Sequence, residues 1–311
     1  MPDHDASHAK NKRKRPPVWL RVARVLAVFV VLTGILKVTG WGERLFFYPV
    51  RSRYEPPARA QDVWFESEGR QLHGWFYPAR RPTPVDGSVL GPAPTVVHCH
   101  GNAFNISRHA DFVDFLPGAG FNVFIFDYRS YGMSDKGPLN REGLVADAGA
   151  ALDHVFSRDD IDPDRVGVYG LSLGGTIGLA AAAEDERVRA VCSVATFCRW
   201  KSVAGDYIPL VGPWLVTPGR DAEDSAAALG DRPLLLLHGT ADPIVRHRHA
   251  PIIHEAAKAA GVNSTFRSFE GIGHVNWIDE EPAVREAIKD FFADHLNAQQ
   301  PSAPPPEPTN D

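Results

Sequence analysis

The sequence predicts an α/β protein with a mostly parallel, doubly wound sheet, and three observations carry that expectation. From Thr95 onward, short apolar runs that read as strands alternate with segments of helical spacing, as a sheet covered by helices on both faces demands. Ser172, Asp242 and His274 each stand just past one of those strands, where open α/β sheets build their sites. Finally, Gly170-Leu171-Ser172-Leu173-Gly174 lies between the β-branched run Arg165-Val166-Gly167-Val168-Tyr169 and an Ala-rich helix continuing from Gly175. A serine flanked by glycines at a strand-to-helix turn is the pattern of a nucleophile elbow.

Taken in order, the chain opens on a basic arm over residues 1–17, expected to be disordered, containing Lys10-Asn11-Lys12-Arg13-Lys14-Arg15. Residues 1–53 hold 11 Lys/Arg against 3 Asp/Glu, and the remainder 22 against 35. A basic leader on an acidic body points to a membrane or a nucleic acid as its partner. The run from Val25 to Leu36 is free of charge but only 12 residues long, short of the ~20 that span a bilayer. The stretch 18–38 reaches that length if Arg21, Arg24 and Lys37 snorkel to the interfaces, with Trp19 and Trp41 as interfacial residues. No small-x-small motif follows it, so the reading is an uncleaved, single-pass anchor. The positive-inside rule then leaves the N-terminus cytoplasmic and the catalytic body outside the cytoplasm. An interfacial helix and a cleaved leader are the alternatives. Nucleic-acid binding is disfavoured, because the basic cluster abuts an apolar run and no fold signature for it follows.

Beyond the anchor, Glu43 to Pro49 leads into a domain expected over 41–296. Asp62 to Glu66 and Gln71 to Tyr77 alternate as an N-terminal antiparallel hairpin turned at Glu68-Gly69-Arg70. Arg80 to Pro94 is a Pro/Gly-rich surface connection. Phe121 to Phe126 reads as a buried strand, and Leu144, Ala148, Ala151, Leu152 and Val155 recur at helical spacing. Asp162-Pro163-Asp164 turns into the strand before Ser172, and Val188 to Val194 is the strand after it. Residues 196–231 then interrupt the alternation with an unusually apolar set that includes Trp200, Tyr207, Leu210 and Trp214. They form either a short lid over an acyl site or membrane-facing patch, or simply a helix covering the sheet. Strands at Arg232 to Gly239 and Ser264 to Phe269 precede an amphipathic closing helix, Pro282 to Leu296. Residues 297–311 are proline-rich, polar and expected to be disordered.

The chemistry follows from residue type and order. Serine is a poor nucleophile unless a base takes its proton during attack, and His274 supplies one. Asp242 would fix the imidazole tautomer and stabilise the imidazolium. The bland readings are an Asp-Pro turn for Asp242 and a surface loop for His274, and the joint placement at strand ends argues against both. An oxyanion hole is also needed. Its donors are expected to be the N–H of Leu173 and the N–H of Asn102, with Ala103 next, in the loop His100-Gly101-Asn102-Ala103. His100 reads as ordering that loop and His98 as a strand residue.

Together His100-Gly101-Asn102-Ala103, Phe126-Asp127-Tyr128-Arg129-Ser130-Tyr131-Gly132-Met133-Ser134, Gly170-Leu171-Ser172-Leu173-Gly174-Gly175 and His238-Gly239-Thr240-Ala241-Asp242 resemble the serine α/β-hydrolases. More narrowly, the chain is similar to the membrane-anchored alpha/beta hydrolase domain-containing proteins, related to the serine aminopeptidase group. The resemblance covers about Trp41 to Leu296 and implies the α/β-hydrolase fold and acyl-ester or thioester hydrolysis. Phe104 and Ser130 stand where it leads one to expect glycine, and Phe104 could then line an acyl pocket with Trp200, Tyr207 and Trp214.

Cysteine is rare: Cys99, Cys192 and Cys198. Cys99 and Cys192 fall in strands as core residues, and a Cys192–Cys198 bridge is open only to an exported domain. His247, His249 and His254 lack companions for a metal set and read as helix-surface residues. No metal and no cofactor is called for. The expected partners are a small-molecule or lipid acyl substrate, or an acylated protein, and the membrane through the N-terminal helix. The leading function is a membrane-anchored serine hydrolase working through an acyl-enzyme. A peptidase or amidase is the nearest rival, with transacylase also open. A non-catalytic membrane scaffold would be marked by loss of a triad member, and a dehalogenase needs a carboxylate at the elbow.

Overall fold

The computed structural model describes residues 17–39, 41–44, 46–82 and 90–297. The expected basic arm, apart from Pro17, and the tail beyond Asn297 lie outside the described residues. Eight strands form one sheet: β1 (Gln61–Ser67), β2 (Arg70–Tyr77), β3 (Thr95–Cys99), β4 (Asn122–Phe126), β5 (Val166–Leu171), β6 (Ala190–Val194), β7 (Leu234–Gly239) and β8 (Ser264–Phe269). Their spatial order is β1-β2-β4-β3-β5-β6-β7-β8. β2 alone runs against the direction of the other seven strands, so the hairpin closes one edge of an otherwise parallel sheet. This is the α/β-hydrolase fold. The hairpin turn sits at Glu68-Gly69, both in left-handed conformation, as a tight two-residue connection needs.

Strands β3 to β7 are buried at every position, which is why they read as unbroken apolar runs rather than alternating ones. Helices cover both faces. On one face α2 (Arg141–Phe156) presents Leu144, Ala148, Ala151, Leu152 and Val155 to the core, the spacing its sequence showed. Beside it, α3 (Leu173–Glu184) is buried on nearly all sides, which only Gly and Ala allow so close to the sheet. On the opposite face the closing helix buries Val284, Ile288 and Phe292 against Val96, Tyr169 and Leu235 in one cluster.

The insertion between β6 and β7 contains α4 (Trp200–Tyr207), α5 (Gly212–Leu215) and α6 (Ala222–Ala227). The first two make a tight helical hairpin: a Cβ on Gly212 would lie 2.0 Å from the Ala204 carbonyl oxygen. The third covers the sheet's helical layer, burying Ala222 and Ala226. The reading as a helix covering the sheet holds for this third helix.

At the N-terminus, α1 (Val18–Val38) is one continuous helix. Val18–Leu36 has a mean hydropathy of 2.0 and almost none of it is covered by the rest of the chain. It is long and apolar enough to cross a membrane. The segment after it returns to the domain through the two-residue parallel pairing of Tyr48-Pro49 with Ala103-Phe104.

Candidate active site

Strand register brings the loops together. Cys99 on β3 pairs with Gly170 on β5, so Asn102 and Ser172, a few residues on, become neighbours. Leu171, Val194 and Leu237 are level across β5, β6 and β7, so the loops after these strands share one edge.

Ser172 sits at the turn with φ 55° and ψ −118°, a region that costs a non-glycine residue about 1–3 kcal/mol. Its N–H donates to the Val194 carbonyl at 2.8 Å and its carbonyl accepts from Gly175 N–H at 3.0 Å. The flanking glycines are required by close approach. A Cβ on Gly174 would stand 1.9 Å from the Cys99 carbonyl oxygen, and one on Gly170 would stand 2.4 Å from the Gly175 Cα.

The second approach is at Gly239, where a Cβ would meet the Ile272 carbonyl oxygen at 2.1 Å. Thr240 N–H donates to Phe269, Ala241 N–H to Ile272, and Gly271 N–H to the Thr240 hydroxyl. These bonds lock the loop after β7 to the loop after β8, carrying Asp242 and His274 into contact. Asp242 Oδ2 lies 2.7 Å from His274 Nδ1, and His274 Nε2 lies 2.9 Å from Ser172 Oγ. An ionised carboxylate can only accept, so Nδ1 carries the proton and Nε2 is left to accept from the serine hydroxyl.

Asp242 is held more firmly than sequence reasoning anticipated. Its Oδ1 accepts from Ile244 and Val245 N–H at 2.8 and 2.9 Å. His238 Nε2, which donates to the Val245 carbonyl at 2.8 Å, also lies 3.2 Å from Asp242 Oδ2. Burial alone would push this carboxyl up, but the bonds from His238 and His274 and the Val245 N–H hold it well below the usual carboxylate range. His238 was in view in the sequence, four residues before Asp242, without a role assigned to it.

Leu173 is the first residue of α3, so its N–H has no intrahelical acceptor. Asn102 and Leu173 line a narrow cavity of about 80 Å³ at Ser172. Ala103 is outside that lining, and its carbonyl accepts from His109 Nε2 at 2.8 Å. The Asn102 side chain is committed elsewhere: Nδ2 donates to Phe46 O at 2.7 Å, and Oδ1 accepts from Tyr48 N–H and the Tyr131 hydroxyl. His100 is buried and bonds the Gly101 carbonyl through Nδ1 at 2.7 Å. Burial pushes its imidazole well below the ordinary histidine value, leaving it neutral.

The remaining cavity wall is apolar and aromatic, with Phe197, Trp200, Val203, Tyr207, Val216 and Ile244 prominent. Trp200 is fixed by its indole N–H on the Arg220 carbonyl at 3.0 Å and by the Arg141 guanidinium 4.7 Å over its ring. Tyr207 reaches across to the Ile244 carbonyl with its hydroxyl, at 3.0 Å. Two expected pocket residues lie elsewhere. Phe104, with φ 69°, is exposed beside Arg108 rather than in the cavity, because pairing with the Tyr48-Pro49 segment holds it on the outer side. Trp214 packs against Gly34 of α1.

His249 also departs from its expected surface position. It is buried, with Nδ1 3.2 Å from the Cys198 sulfur and Nε2 3.0 Å from Asp206 Oδ2. Asp206 on α4 also pairs with Arg248, so this cluster ties the α4–α5 hairpin to the loop after β7. His247 and His254 bond Ser268 and Ser264. The three cysteines are unpaired and buried.

The prolyl oligopeptidase family model matches residues 113–299. The Escherichia coli K12 protein named Uncharacterized protein YfhR is 35% identical over 290 residues, covering 91% of this chain and 99% of that one. The Arabidopsis thaliana alpha/beta hydrolase domain-containing protein WAV2 is 29% identical over 278 residues, covering 80% of this chain and 86% of its own. Among solved structures, the Pyrococcus furiosus esterase Pf2001 superposes with a TM-score of 0.66 at 18% identity, covering 81% of this chain and 98% of that one. At that identity the likeness speaks for the fold alone.

Proposed function

This chain is an α/β-hydrolase of the prolyl oligopeptidase family, and from that premise we propose that it is a membrane-anchored serine hydrolase of acyl esters or thioesters. The observation that carries the reading is the Ser172 cavity. Among the described residues its lining contains no charged group and is dominated by aromatic and branched side chains. Such a slot accepts an acyl chain and offers nothing to hold the charged terminus of a peptide.

His274 takes the proton of Ser172 as the hydroxyl attacks the acyl carbonyl, while Asp242 holds the imidazolium. The carbonyl oxygen gains charge and is met by the N–H groups of Leu173 and Asn102. The tetrahedral intermediate collapses as His274 returns the proton to the departing alcohol or thiol. Water then repeats the sequence on the acyl-enzyme, restoring Ser172.

The exposed apolar face of α1 supports anchoring. The positive-inside rule applied to the basic arm favours a cytoplasmic N-terminus with the catalytic domain on the other side. The substrate class is a small-molecule or lipid acyl compound, or an acylated protein.

The family match to prolyl oligopeptidases supports a second reading as peptidase or amidase, because the same triad cleaves amides. Turnover of p-nitrophenyl acyl esters against aminoacyl anilides separates the two. Preference for the anilides overturns the esterase reading. A fluorophosphonate probe is expected to label the wild type and not Ser172→Ala, and an unlabelled wild type overturns both.

A further inference from the structure

Four contacts fix α1 and the residues just after it on the α4–α5 hairpin and the segment that follows it. Gly34, on α1, meets the Trp214 ring: a Cβ there would lie 3.8 Å from the indole. Gly42 lies under Leu215, since its Cβ would stand 2.8 Å from that carbonyl oxygen. Glu43 Oε1 accepts from Thr217 N–H at 3.0 Å and from the Thr217 hydroxyl at 2.5 Å.

Gly34 belongs to the apolar stretch that ends at Leu36. At 1.5 Å rise per residue it lies about 3 Å inside that end. Whatever packs on Gly34 therefore stands at the depth where a spanning α1 leaves the hydrocarbon, and the residue there is a tryptophan, the side chain suited to that boundary. The tip joining α4 to α5 lies alongside. Leu210 is 95% exposed with φ 68°, and Ile208 is exposed two residues before it. With Tyr207 and Trp214 also exposed, these side chains make a clustered apolar run rather than a single scattered leucine, the kind of surface that marks an interaction site. Tyr207, next in the chain, forms the rim of the Ser172 cavity.

We infer that the Ile208–Trp214 segment beds in the surface of the bilayer that α1 enters, so that the Ser172 cavity opens at the headgroup boundary and draws membrane-resident acyl amphiphiles. The inference rests on the anchored-hydrolase reading above. The partner is the lipid interface itself, because continuity with α1 fixes where the bilayer stands relative to this face.

The test uses the full chain in phosphatidylcholine vesicles. The native thiols are buried, so Leu210→Cys offers a single exposed site for an environment-sensitive nitrobenzoxadiazole label. Its emission is expected to shift to the blue on reconstitution and to be quenched by doxyl lipids. The same label at Asp159→Cys, an exposed position before β5, is expected to stay solvent-like. Solvent-like emission at Leu210→Cys in protein that floats with the vesicles overturns the inference while leaving the anchor standing. In a second arm, Leu210→Asp is expected to lower turnover of a long-chain ester embedded in the vesicles about tenfold, with turnover of soluble p-nitrophenyl butyrate unchanged. Equal losses on both substrates overturn lateral uptake, and absence of turnover in the wild type indicts the hydrolase reading alone, with the fluorescence arm still deciding the depth of the loop.

Discussion

The Glu43 carboxylate meets the Arg141 guanidinium at 2.7 Å, across 98 residues of chain, with both side chains almost wholly withdrawn from water. Arg141 also donates to the Gly219 carbonyl at 2.8 Å and lies over the Trp200 ring. One buried ion pair thus joins the segment leaving α1, the first turn of α2, the insertion between β6 and β7, and Trp200 in the cavity wall. Removing one partner of such a pair leaves the other uncompensated, typically at about 3–5 kcal/mol. Glu43→Ala is expected to lower the unfolding free energy by that amount, read from urea unfolding of the detergent-solubilised chain. Adding Arg141→Met is expected to restore most of it. An unchanged midpoint in Glu43→Ala argues against the pair's structural role.

That pair was invisible in the sequence for a physical reason. A contact between residues so far apart is set by the crossing of elements, and neither Glu43 nor Arg141 carries a local signature. The meeting of Ser172, Asp242 and His274 was legible because each follows a strand, and strand ends of a parallel sheet converge on one edge. Phe104 and Ser130 were legible in another way. Both replace an expected glycine and both adopt positive φ, 69° and 68°. The pocket was only half legible. Trp200 and Tyr207 face Ser172 because α4 folds back over the elbow, whereas Trp214, one short helix later, is turned to α1. Composition marked the insertion as apolar without saying which residue met which partner.

Asp242→Asn keeps the shape of the acid and removes its charge. An amide at this position can donate to Nδ1 and stabilise the tautomer that cannot accept from Ser172. Turnover of p-nitrophenyl esters is expected to fall roughly 10⁴-fold. Near-normal turnover would place the catalytic acid elsewhere.

His238→Ala removes the Nε2–H that the Val245 carbonyl and Asp242 Oδ2 share, and leaves the His274 contact in place. A hydrogen bond to a charged group is worth about 1.5 kcal/mol or somewhat more, so kcat is expected to drop about tenfold with KM little changed. Because His238 also lowers the Asp242 carboxyl, the acid limb of the pH–kcat profile is expected to move in the variant. Loss of rate without any change in the profile would assign His238 a packing role only.

Asp127 supplies a pH dependence of stability. It accepts from Ile106 N–H at 3.0 Å and from the Tyr54 hydroxyl, and burial pushes its carboxyl up to about 8. An unfolded aspartate titrates near ~3.9. Between those values the folded chain keeps a proton that the unfolded chain has released, so this contribution is complete below about pH 4 and is lost as pH rises through about 8. Asp127→Asn, neutral at every pH, is expected to flatten the decline between pH 5.5 and 7.5 in denaturant unfolding. A variant that tracks the wild-type slope assigns the dependence to other groups.

Phe104 tests whether the missing glycine matters to the backbone or to the substrate. Left-handed conformation costs an L-residue roughly 1–2 kcal/mol, a cost glycine avoids. At an ordinary strand or helix position glycine is the less stable choice than alanine by about 0.5–1 kcal/mol. At position 104 the order is expected to invert, with Phe104→Gly more stable than Phe104→Ala by about 1 kcal/mol. The contrast is cleaner here than at Ser130, whose hydroxyl bonds the Gly137 carbonyl at 3.0 Å and would be lost with the side chain. Since Phe104 stands outside the Ser172 cavity, both variants are expected to keep wild-type turnover of soluble esters across acyl lengths. A change in chain-length preference would return Phe104 to the acyl pocket that the sequence first suggested for it.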